Sequence, residues 1–315
     1  MTFLWGRALG EVAARFRDRP EVLGIELINE PWAGNVFQDP ELLIPGVADL
    51  KTLQPAYQVV AAEIRKRNDE VLLFFEGTTW SDLGFGFSQV PGGPHYSNRS
   101  VVSFHYYVPP QLPNSEEFDF DVHIQNARDL ECGYFLSEFG SIEIDKDFVS
   151  VTKAADDYLL SWGVWEWKDY CRETNETLAS PSQYAAFGAC KTGYGGISWE
   201  QTGEDWQPIT LERQALSRAY PLAVAGTVQS MSFQLDPVTF VPGPFSMAYN
   251  VDITSPQPTE IFIPEAIYFS NFTVSIDPST SAKYSHLSGS NLVYIIPSLE
   301  ATQGSNITVL ITPLI

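Results

Sequence analysis

Apolar positions in the first two-thirds of the chain fall in short continuous runs, and each run carries a polar group at or near its end. "VLGIELINE" (22–30), "VLLFFEG" (71–77), "VVSFHYY" (101–107), "YFLSEFG" (134–140) and "SWGVWEWK" (161–168) predict five strands. Their nearly unbroken apolar character is that of strands covered on both faces, as in a parallel sheet under helices. Between them the apolar period lengthens. "MTFLWGRALGEVAARF" reads as an amphipathic helix that stops by Asp18-Arg19-Pro20, where proline forbids continuation. "LQPAYQVVAAEIRKR" (53–67) puts Tyr57, Val60, Ala61 and Ile64 on one helical face. Further helices are predicted around 116–130, 147–160 and 208–218.

After "AYPLAVAG" the period becomes two. "VQSMSFQL", "FTVSI", "LVYIIPS" and "NITVLI" alternate apolar and polar positions and are divided by Pro, Ser, Asn and Gly. That pattern predicts a small antiparallel β-sandwich. The expected organisation is an α/β catalytic region over 1–221 followed by a β domain over 222–315.

The 315 residues carry 39 acidic and 18 basic side chains, a net charge of −21. Such a surface repels phosphate backbones and anionic lipid, which argues against nucleic acid as a partner. No apolar run approaches the ~20 residues of a membrane span, so stable membrane insertion is not expected. The N-terminal stretch is a poor signal peptide, whereas four N-x-S/T sequons begin at Asn98, Asn175, Asn271 and Asn306 and point to a secretory route. Of three cysteines, Cys171 and Cys190 bracket one polar loop and could pair, while Cys132 reads as buried. Nothing in the sequence calls for a cofactor or a metal.

Composition leaves the chemistry open; the strand ends narrow it. Asn29 and Glu30 close the first strand, Glu76 the second, His105 and Tyr107 the third, Glu138 the fourth and Trp165 the fifth. In parallel α/β folds these ends share one face, and that face carries the active site. Two carboxylates converging from different strands suit glycosidic cleavage, one donating a proton to the leaving oxygen and the other attacking the anomeric carbon. Asn29 is placed to donate to a sugar 2-hydroxyl, Tyr107 to hold the attacking carboxylate, and Trp165 to stack on a pyranose ring. Taken singly, each of these residues also has an ordinary packing role.

At "ELINEP", "FHYY", "FLSEFG" and "WGVWEW" the sequence resembles glycoside hydrolase family 5, a group of retaining (β/α)8 barrels. The resemblance implies Glu30 as acid/base with Asn29 beside it, His105 and Tyr107 on the sixth strand, Glu138 as nucleophile and a sugar-stacking Trp165. Within the family, "NEPWAGNVFQDPELLIPGVADLKTLQPAY", "FFEGTTW" and "VPGGPHYSNRSVVSFHYYVPPQ" look like animal endoglycoceramidases, which implies a glycosphingolipid substrate and an extracellular or lysosomal setting. It also implies a partial barrel, strands four to eight, so the chain is expected to be N-terminally truncated and inactive alone. A glucosylceramidase, another β-glucosidase or endoglucanase, and a non-catalytic carbohydrate- or lipid-binding fragment stay open as alternatives, as does the oligomeric state. A lid over Pro31–Asp49 and Val90–Ser100, with Trp32, Phe37 and Leu42–Ile44 exposed, would suit a ceramide chain.

Overall fold

The computed structural model describes residues 1–78, 81–108, 115–141, 146–165, 199–202, 205–208, 216–239, 241–264, 268 and 271–314. They divide into two compact units, Met1–Phe139 with Ser161–Gly163 and Gly140–Leu160 with Val164–Ile315. Cys171, Cys190, Asn175 and most of the helix expected near 208–218 lie outside the described residues.

The first unit is built on five strands in sequential spatial order: β1 (Gly24–Glu26), β2 (Leu72–Phe75), β3 (Ser100–Val108), β4 (Gly133–Ser141) and β5 (Trp162–Val164). They form a parallel half-barrel. Cα partners Glu26, Phe74 and Val101 stand abreast across β1, β2 and β3. Side chains alternate along strands, so Glu26, Glu76 and His105 emerge on one face. β1 is much shorter than the expected 22–30. The Val22 N–H turns back to Arg19 O at 3.0 Å, and the last ladder bond is Leu27 N–H to Phe74 O at 3.0 Å. Beyond it Glu30 has φ +44°, a left-handed conformation that no strand accommodates.

Helix α1 (Thr2–Arg15) buries Gly6, Gly10 and Ala13, and α2 (Gln54–Arg65) packs against it. A Cβ on Gly6 would lie 3.0 Å from the Val60 Cα, so the small residue sets how closely the two helices approach. Tyr57, Val60, Ala61 and Ile64 form the buried face of α2, as their spacing predicts, and join the core with Leu73, Phe75 and Val102. Helix α3 (Glu116–Asp129) starts at Ser115, whose hydroxyl accepts the Phe118 N–H at 3.3 Å. Glu116, Glu117 and Asp119 in its first turn and Arg128 in its last complement the helix dipole. Phe104 and Tyr106 of β3 meet Phe120 edge-on at 5.6 and 5.8 Å, which docks α3 on the sheet.

The second unit holds α4 (Lys146–Asp157), a hairpin of β6 (Trp199–Thr202) and β7 (Asp205–Pro208), and two four-stranded antiparallel sheets. One runs in the order β12 (Phe272–Asp277), β15 (Asn306–Pro313), β10 (Pro242–Val251), β9 (Gly226–Leu235). The other runs β13 (Ala282–His286), β14 (Leu292–Pro297), β11 (Thr259–Phe262), β8 (Tyr220–Ala223). Alternate residues Phe245, Met247, Tyr249 and Val251 of β10, Ile307, Val309 and Ile311 of β15, and Val293 and Ile295 of β14 are buried. This is the period-two pattern of the expected sandwich. Helix α4 packs on β9 within this unit.

Candidate active site

The loop after β1 carries the first carboxylate. Glu30 lies in the left-handed region, where a non-glycine residue needs support from its surroundings. Glu76 gives that support, since its Oε2 accepts the Glu30 N–H at 2.7 Å. The end of β2 is anchored in turn by the Tyr57 hydroxyl, which donates to Glu76 O at 2.8 Å. Asp49, fully buried, accepts the Thr78 and Gly86 N–H groups at 2.9 and 3.0 Å and ties down the segment that follows. A Cβ on Gly86 would stand 2.0 Å from Gly46 O, so only glycine fits there.

The side chains of Glu30, His105 and Glu138 converge. His105 Nδ1 is 3.0 Å from Glu30 Oε1, 3.6 Å from Glu76 Oε1 and 3.6 Å from Glu138 Oε2. The Tyr107 hydroxyl donates to Glu138 Oε2 at 2.6 Å. One carboxylate oxygen of Glu30, one of Glu138 and a His105 nitrogen lie within 4.8 Å of one another. Exposure is graded, with the Glu30 side chain 43% accessible, Glu138 18% and His105 7%. One acid faces solvent while the other is held against a phenol.

Of the residues singled out from the sequence, Glu30, Glu76, His105, Tyr107 and Glu138 are brought together. Asn29 is exposed beside Glu30, and Trp165, just past β5, is 47% exposed and belongs to the second unit. Glu26 was not singled out, yet one of its oxygens lies within 4.8 Å of ligand atoms of Glu76 and His105. Its signal was a carboxylate inside the apolar run "GIELI". In the loop that follows, Trp32, Phe37, Leu43 and Ile44 are exposed as expected, but Leu42 is buried, packed with Ala33 and Ala48. Cys132 is half-buried, and burial pushes its thiol up to about 11.

Burial pushes the Glu76 carboxyl up to about 7, against the opposing pull of His105 and the Glu30 N–H. A carboxyl raised on folding stabilises the fold below its unfolded value and loses that contribution as pH rises towards 7. Glu76→Gln keeps an acceptor for Glu30 but cannot titrate. The variant is therefore expected to lose up to ~1.4 kcal/mol per pH unit of the wild-type fall in unfolding free energy between about pH 4.5 and 7. Urea denaturation at pH 5 and 7.5 measures it; an identical pH dependence in the variant refutes it.

Residues 6–170, just over half of the chain, match the family described as Cellulase (glycosyl hydrolase family 5). The chain belongs to glycosyl hydrolase family 5. Residues 218–311 match the glycoside hydrolase family 5 C-terminal domain, which covers the sandwich. Among family 5 relatives, an endoglycoceramidase of Hydra vulgaris is 36% identical over 237 residues, 75% of this chain and 41% of that protein. An endoglycoceramidase of Cyanea nozakii is 32% identical over 310 residues, 96% of this chain and 56% of that protein. The chain thus spans about half the length of the curated relatives it matches. In fold it is similar to endo-glycoceramidase II from Rhodococcus sp. in its ganglioside GM3 complex. That likeness has a TM-score of 0.71 at 19% identity and covers 99% of this chain and 63% of that one.

Proposed function

We propose that the protein is a retaining glycosidase that cleaves the β-glucosidic bond between the sugar and the ceramide of glycosphingolipids. The observation that carries the reading is the approach of the Glu30 and Glu138 carboxylates to within 4.8 Å of each other. Double displacement works with carboxyls about 5–5.5 Å apart, whereas inverting hydrolysis leaves about 6.5–9.5 Å for a water.

In this reading Glu30, the more exposed acid, protonates the leaving oxygen and later deprotonates water. Glu138, held by Tyr107, attacks the anomeric carbon. His105 orients Glu30 through Nδ1, and Glu76 fixes its backbone. Asn29 donates to the sugar 2-hydroxyl. Exposed Trp32, Phe37, Leu43 and Ile44 offer apolar area for a ceramide. The relatives named endoglycoceramidase support the substrate class. An extracellular or lysosomal setting is supported by the exposure of the sequon residues Asn98, Asn271 and Asn306.

The test is hydrolysis of a fluorescent glycosphingolipid by a longer protein that contains these residues, with residues 1–315 alone, expected to be inactive, assayed beside it. Release of intact oligosaccharide, with the β-anomer appearing first by proton NMR, is expected. Free glucose as the product would make the protein a glucosidase, an α-anomer would refute retention, and calorimetric binding without cleavage would make it a binding protein. Tyr107→Phe removes a hydrogen bond to a charged acceptor and is expected to lower kcat ~10–100-fold with little change in KM. An unchanged kcat would remove Tyr107 from the site.

A further inference from the structure

On the side of β3 that faces α3, away from the catalytic carboxylates, a second group of polar side chains is buried with its hydrogen-bonding capacity unused. Asp119 and His123 stand four residues apart, one turn of α3, so both project from the same helical face. They are 2% and 1% exposed. Asp82, in the short 3-10 turn Ser81–Leu83, brings a third ligand. One oxygen from each aspartate and one His123 nitrogen lie within 4.8 Å of one another.

Ordinary packing does not explain this group. Neither ring nitrogen of His123 has a hydrogen-bond partner among the described residues, and Asp119 Oδ2 has none either. His123 Nε2 stands 3.7 Å from Asp119 Oδ1, too long for a hydrogen bond. Asn126, one turn further along, also has a buried amide nitrogen with no acceptor. The walls are apolar: Phe104 stacks on the imidazole at 4.4 Å, and Phe85 lies 6.4 Å from it. Unpaired buried polar atoms cost ~1–3 kcal/mol each.

We propose that Asp82, Asp119 and His123 form a binding site for a divalent first-row transition ion of the zinc type, which clamps α3 to the segment that follows β2. Zinc takes imidazole nitrogen and carboxylate oxygen at about 2.0–2.2 Å, so ligand atoms of a four-coordinate site stand roughly 3.3 Å apart. Closing from at most 4.8 Å needs side-chain shifts of about an ångström or less. Calcium fits poorly, since it takes six to eight oxygens and the set includes a nitrogen.

Residues 1–315 are stripped with chelator, then titrated with zinc chloride by calorimetry and with cobalt chloride by visible absorption. One saturable equivalent, four-coordinate cobalt bands and a zinc-dependent rise in Tm are expected, with calcium chloride producing none of these. Asp82→Asn and Asp119→Asn should each weaken zinc binding at least tenfold. Asp82 is only half-buried, so its variant reports on the site even where His123→Gln fails to fold. The catalytic cluster also gathers ligand atoms, and the double variant His105→Ala/Glu138→Gln separates the two: the equivalent survives it. No saturable zinc uptake, or uptake abolished by His105→Ala/Glu138→Gln and untouched by Asp82→Asn, overturns the proposal.

Discussion

Glu138→Gln is expected to lower kcat for glycosphingolipid cleavage at least ~10³-fold, because the amide cannot form the covalent glycosyl intermediate. The loss alone would not assign roles, since removing either carboxylate silences a double displacement. Azide separates them. With Glu138→Ala and a β-configured substrate, azide enters the cavity left by the nucleophile and attacks once, giving the α-glycosyl azide. With Glu30→Ala and an activated leaving group, Glu138 still forms the intermediate. Azide then attacks that intermediate from the β face and gives the β-glycosyl azide. Product stereochemistry by NMR checks both. The same anomer from both variants, or unchanged turnover in Glu138→Gln, sinks the assignment. The environment supports the direction chosen, because Tyr107 already donates to Glu138 at 2.6 Å, whereas Glu30 is the more open of the two.

Arg218→Met is expected to destabilise the second unit by ~3–5 kcal/mol. Arg218 and Asp156 are 5% and 3% exposed and form an ion pair. Asp156 also accepts the Phe233 N–H at 2.9 Å, and Arg218 donates to Thr152 Oγ1 at 3.2 Å and lies over the Phe233 ring. The group joins α4 to β9. Burial pushes the Asp156 carboxyl up and the Arg218 guanidinium down in spite of their attraction. Desolvation therefore outweighs pairing, and the pair gives little net advantage over apolar neighbours. Losing one partner is another matter, because the remaining charge is stranded in a dry interior. The double variant Asp156→Asn/Arg218→Met should recover much of the loss. Chemical denaturation of the four proteins closes the cycle; additive effects in it would show that the two groups do not interact.

The strands and both catalytic candidates were legible because a parallel strand under helices must be apolar along its length, so a carboxylate at its tip stands out. Glu30, Glu138, His105 and Tyr107 stand out this way and their side chains come together, and helical spacing picks out the buried face of α2. The length of β1 was not legible. The run "VLGIELINE" continues past Glu26, whereas the ladder stops at Leu27 and the backbone turns left-handed by Glu30. Leu42 read as an exposed loop residue, yet it closes a small core with Ala33 and Ala48. Residues 147–160 read as a helix, and their packing on β9 is a tertiary fact.

By itself, then, the sequence determined the element types, the change from α/β to antiparallel β, and which acids interrupt or follow the apolar runs, since all of these follow from local periodicity. The tertiary structure decided which distant groups meet: Glu76 under the backbone of Glu30, His105 among three carboxylates, Asp82 against Asp119 and His123, and Asp156 against Arg218. Such meetings depend on strand register and on how helices dock across gaps of tens of residues. No local pattern encodes them.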